Sequence, residues 1–127
     1  KLPSQTLQQL CTHLKKSLGI PQLRVIGNLQ QKCETIALLP GAWGGKAHLS
    51  IVEEKHPDVL IVGEISEWET GEYIRDSKAF GAKTALIILG HSVSEEPGME
   101  WVAQWMKPKF PGIKIHHIAS GNPFTWV

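Results

Sequence analysis

Cysteine is scarce in this chain. Its two thiols, Cys11 and Cys33, are too few for the disulfide framework of a small secreted domain, so reduced thiols and a cytoplasmic location are expected. Long hydrophobic runs are missing as well. No stretch approaches the roughly 20 apolar residues that span a bilayer, and Lys1-Leu2-Pro3-Ser4 is not a signal peptide. Neither sign of charge dominates, with 13 Lys and Arg against 12 Asp and Glu, and no basic face or RNA-binding aromatic motif argues for nucleic acid as a partner. Internal repeats and low-complexity tracts are absent. A chain of 127 residues that is 42% hydrophobic and 20% charged suits one ordinary soluble domain with a single core, expected over residues 1–127.

Thr6 is a candidate N-cap, and Leu7, Leu10, Leu14 and Leu18 recur at helical spacing before Gly19 and Pro21. Short strands are predicted at Leu23 to Ile26 and Thr35 to Leu39. A glycine loop, Pro40 to Gly45, then leads into a helix from about Lys46 to Lys55 that His56-Pro57 ends. Asp58 to Gly63 and Thr84 to Leu89 are continuous apolar runs, the pattern of strands covered on both faces. Between them Trp68 to Phe80 is predicted helical, with Gly81 as its stop. Pro97 suits a first helical turn, followed by an apolar face of Met99, Val102, Ala103 and Met106, and Ile113 to Ile118 alternates as a last strand.

Strands alternating with helices predict an α/β sandwich, a mixed and centrally parallel sheet flanked by helices. Ligands of such sheets gather at the carboxyl ends of the strands. Three loops leave strands in that way, Pro40–Gly45, Gly63–Glu67 and Gly90–Glu95, and parallel neighbours would bring all three to one edge.

Within G-H-S-V-S-E, His91 and Glu95 are an imidazole and a carboxylate, ligand types for zinc, manganese or iron. The same pair also suits a polar strand end followed by an acidic helix start. Glu64, directly after Gly63, is a candidate general base or a partner beside a metal, whereas Glu67 and Glu69 suit the first turn of a helix. The glycine loop lacks the lysine and hydroxyl of a P-loop. His116-His117 would point to opposite faces of a strand, and His48 and His56 have no acidic or thiol partner at metal-binding spacing. Trp101 and Trp105, four apart, read as a packing stripe or an oligomer contact.

The order of P-G-A-W-G-G, D-V-L-I-V-G-E-I-S-E, G-H-S-V-S-E and S-G-N-P-F resembles the C-terminal half of the Nif-three-like dinuclear-metal hexamer family, also known as GTP cyclohydrolase I type two homologues. The resemblance covers essentially the whole chain and about half of a typical member. It implies two similar α/β halves with a pair of metal ions between them, assembled into a homohexamer. It also implies that His91 and Glu95 are metal ligands. The other ligands, a histidine pair and an aspartate, belong to the family's N-terminal half, which has no counterpart in this sequence. A chain that starts at Lys1 is therefore expected to be either a segment of a longer protein or a half-length member with a degenerate site. Trp68 departs from the histidine that many members carry there, although others carry glutamine.

Two functional readings follow. One is the metal-binding domain of a dinuclear metal-dependent hydrolase of cyclohydrolase or amidohydrolase type, acting on a small molecule. The other is a non-enzymatic regulatory or assembly module with an incomplete metal site.

Overall fold

A computed structural model of the chain describes residues 3–125, so the two residues at each end of the expected 1–127 domain lie outside the described residues. After a two-residue strand β1 (Gln5–Thr6), helix α1 (Leu7–Leu18) starts on a reciprocal cap. The Thr6 hydroxyl accepts from the Gln9 amide at 3.2 Å, and the Gln9 side chain accepts from the Thr6 amide at 2.8 Å. Strand β2 (Arg24–Ile26) follows, then β3 (Lys32–Cys33), which pairs antiparallel with β1. Strands β4 (Ile36–Leu39), β5 (Val59–Val62) and β6 (Ala85–Ile88) alternate with α2 (Gly45–Lys55) and α3 (Glu72–Ala79), and α4 (His91–Met106) follows β6.

The main sheet has the order β2-β6-β5-β4, parallel except for β2, which runs antiparallel to β6. This is the mixed, centrally parallel sheet that the apolar runs predict. Side chains of β5 alternate between two cores, which explains why none of its four residues is polar. Val59 and Ile61 join Leu7, Leu10 and Cys11 of α1 on one face, and Leu60 and Val62 join Val52 of α2 and Ile74 of α3 on the other. Burial on both sides stabilises each such strand residue by about 1.5–3 kcal/mol. Among the described residues no helix is long and apolar enough to cross a membrane.

Three elements depart from expectation. The helix predicted from Trp68 begins instead as a π turn, Glu67–Gly71, before α3. The widened turn accompanies an inward Thr70, whose hydroxyl meets Nδ1 of the buried His48 at 3.1 Å. Helix α4 begins at His91, six residues before Pro97, because Gly90 (φ 100°) breaks the strand directly into the helix. Pro97 therefore lies inside the helix. The third departure is Ile113 to Ile118, which forms no strand. Its polar partner is a side chain rather than a sheet edge: Glu96 of α4 pairs with His117 at 2.5 Å and accepts from the Ser120 amide and hydroxyl.

Candidate functional site

The Pro40–Gly45 and Gly63–Glu67 loops share one edge with the start of α4, whose first turn takes the place of the loop expected over Gly90–Glu95. Ladder bonding continues past the strand ends, with Gly63 N donating to Leu39 O at 3.2 Å, Glu64 N to Gly41 O at 3.2 Å and Gly90 N to Gly63 O at 2.8 Å. The loops are thereby locked in register. Gly63 is required by this closeness, since a Cβ there would lie 2.5 Å from the Gly41 backbone and 2.6 Å from the Ser94 hydroxyl. At Gly41 (φ 74°) a Cβ would collide with the Glu95 carboxylate, so the missing side chain is what lets that carboxylate settle on the loop.

All three predicted site residues meet at this edge. His91 opens α4 and is bracketed by two carboxylates: its Nδ1 lies 3.2 Å from Oε2 of Glu64, and its Nε2 lies 3.1 Å from Oε2 of Glu95. The Glu95 contact comes from helical spacing, one turn along α4. The Glu64 contact comes from the sheet, because Val62 and Ile88 are paired across β5 and β6 and each is followed by its loop. Each of the three side chains is about half exposed, with 53%, 47% and 49% of the surface of Glu64, His91 and Glu95 open, so the edge is reachable from solvent.

Ser94 is a participant that the spacing argument missed. Its hydroxyl accepts from the Gly41 amide at 2.9 Å and donates to the His91 carbonyl at 2.7 Å, tying the glycine loop to the first turn of α4. A serine one turn into a helix, free to bond back to the i−3 carbonyl, is the only signal the sequence carries for it. The other histidines stay apart. His48 is fully buried between α2 and the π turn; its Nε2 has no partner among the described residues, and burial holds its pKa below the usual histidine value against the pull of Glu69. His116 is exposed and His117 half-buried, in a stretch that forms no strand.

A cavity of about 550 Å³ lies at the opposite, amino end of the strands, around Asp58 and Lys83. It is remote from His91, and Asp58 is occupied there. One of its oxygens accepts from the amides of Glu34 and Thr35 and from the Thr35 hydroxyl, each at 2.9 Å. Burial opposes ionisation of Asp58, but these donors and Lys83 together hold its pKa below the usual carboxylate value.

The model of the Duf34/NIF3 (NGG1p interacting factor 3) family matches residues 1–123. The chain belongs to this family. It is 29% identical over 62 residues to the GTP cyclohydrolase 1 type 2 homolog of Halalkalibacterium halodurans, an alignment covering 49% of this chain and 16% of that protein. Among solved structures it is similar to a Bacillus cereus protein related to NIF3, with a TM-score of 0.75 at 23% identity over 100% of this chain and 34% of that one. A Staphylococcus aureus hypothetical protein gives a TM-score of 0.74 at 25% identity over 98% of this chain and 35% of its own. The NIF3-like chain thus spans about a third of the length of these solved relatives.

Proposed function

We propose that this NIF3-like domain contributes the His91 and Glu95 ligands to the site of a dinuclear metal-dependent hydrolase of cyclohydrolase or amidohydrolase type. The observation that carries the reading is the imidazole of His91 set between two carboxylates at the carboxyl edge of a parallel sheet. The donor pair suits a divalent ion. Nε2 of His91 and Oε2 of Glu95, 3.1 Å apart and each half exposed, would hold such an ion. Zinc, manganese or iron held there would supply Lewis acidity.

Glu64 was expected as a general base or as a partner beside a metal. Its contact with Nδ1, the ring nitrogen facing away from Glu95, favours the second role. A carboxylate there fixes the tautomer that leaves Nε2 free to ligate and raises its basicity. Ser94 and Gly41 keep the loop carrying no side chain beneath Glu95, so its carboxylate is held rather than free to swing. The reading places the domain in a cytoplasmic homohexamer with the remaining ligands on another half, in line with the short span against its relatives.

The assembly-module reading draws on the same geometry: Glu64 and Glu95 meet opposite ring nitrogens of His91, so these three described side chains do not converge on one ion. Metal content per chain separates the two. Wild type and the His91→Ala, Glu95→Ala double variant are purified without chelator and measured by plasma mass spectrometry. Near-stoichiometric metal that is lost in the double variant supports the hydrolase site. Equal, trace metal in both, even after incubation with zinc or manganese, supports the assembly module.

A further inference from the structure

The closing S-G-N-P-F segment takes no part in the His91 edge, yet the fold returns it to the sheet. Anchored upstream where Glu96 binds His117 and Ser120, it turns at Asn122, whose Oδ1 accepts from the Phe124 amide at 3.0 Å. Asn122, Phe124 and Thr125 then line a cavity of about 400 Å³ together with Leu23, Leu89 and Gly90. This lies within the roughly 300–1,000 Å³ of small-molecule sites. Gly90 immediately precedes His91, so the cavity adjoins the candidate ligands, on the β2 side of β6.

The lining sets the chemistry. Leu23, Leu89 and Phe124 offer apolar and aromatic surface suited to a flat ring. Arg24 and Glu67, also in the lining, are ion-paired to each other, so they present N–H donors and a carboxylate acceptor without a net charge to attract an ion. Asn122 has committed its oxygen to Phe124, which leaves its NH2 group as a donor. With Arg24 and Glu67 already paired to each other, a charged ligand would find no uncompensated partner in the lining.

We infer that this cavity binds a neutral, planar nitrogen heterocycle with N–H and C=O groups on one edge, its ring against Phe124 and Leu89 and its polar edge toward Arg24, Glu67 and Asn122. As a binding pocket it stands on its own lining; as a substrate pocket it rests on the proposed hydrolytic role of the neighbouring edge. The test is therefore run without metal, so that the two readings fail separately.

The ¹⁵N-labelled chain, freed of metal with chelator, is titrated with uracil, hydantoin and 2-pyridone, and with orotate as an anionic counterpart of uracil. At least one neutral probe is expected to give saturable shifts centred on the amides of Leu89, Gly90 and Asn122. Its affinity should fall at least about tenfold in Phe124→Ala and in Asn122→Ala, with orotate binding more weakly than uracil. Both residues lie in an exposed segment, and each variant's own spectrum reports that it is folded. Absence of saturable shifts with all three neutral probes, affinities unchanged in both folded variants, or tighter binding of orotate would overturn the inference.

Discussion

Oε2 of Glu64 lies 3.2 Å from Nδ1 of His91, across a gap of 27 positions in the chain that the parallel pairing of β5 and β6 closes. The contact leaves the other ring nitrogen to Glu95. Glu64→Gln keeps the shape of the side chain and removes its charge, so the imidazole loses its orienting carboxylate. Metal affinity should fall about 10- to 100-fold, read by competition with a chromophoric chelator, while the thermal midpoint stays near wild type because Glu64 is half exposed. A role confined to stability would shift the midpoint and leave the affinity alone.

Part of this site is legible in the sequence. His91 and Glu95 are legible as a pair at the end of β6, but as loop residues ahead of a helix starting near Pro97; the helical turn between them exists because Gly90 turns β6 straight into α4. The continuous apolar runs at β5 and β6 announce strands covered on both faces, and Thr6 announces the start of α1, whereas the reciprocal Gln9 contact emerges only in the structure. The contact of Glu64 with His91 depends on the register between two strands, which no local pattern encodes. At Ile113 to Ile118 the alternation is real, with Ile115 and His117 half-buried, but a strand also needs an edge to pair with, and this stretch is tethered instead by Glu96 to the His117 side chain and to the Ser120 amide just beyond it.

Ser94→Ala removes the acceptor of the Gly41 amide and the tie between the glycine loop and α4. Leaving that amide without its partner should cost about 1–3 kcal/mol, measured by urea unfolding. Metal affinity should weaken in parallel because Glu95 rests on the same loop.

Gly63→Ala inserts a methyl group 2.5 Å from the Gly41 backbone, where backbone rather than a flexible side chain must give way. A loss of about 1–3 kcal/mol is expected from such overpacking. Thermal unfolding of the variant checks it, and a midpoint equal to wild type would contradict the close approach of the two loops.

Burial lowers the His48 pKa in the folded protein, opposed by the Glu69 carboxylate, so the unfolded chain takes up the proton first as pH falls. The stability linked to His48 is complete above the unfolded histidine value of about 6.5. It declines as pH drops below that value and levels off below the lower folded one. His48→Gln, which keeps an amide for Thr70, should flatten the fall in thermal midpoint between about pH 7.5 and about pH 5 relative to wild type. Equal slopes in both proteins would show that His48 is not the group responsible.

The central claim is that His91 and Glu95 are metal ligands. Manganese(II) titrations followed by electron paramagnetic resonance test it most directly, on wild type, His91→Ala, Glu95→Ala and His117→Ala. The account predicts binding that weakens at least about tenfold in each of the first two variants and is unchanged in the third. Binding that is indifferent to His91 and Glu95, or that disappears with His117, would contradict it.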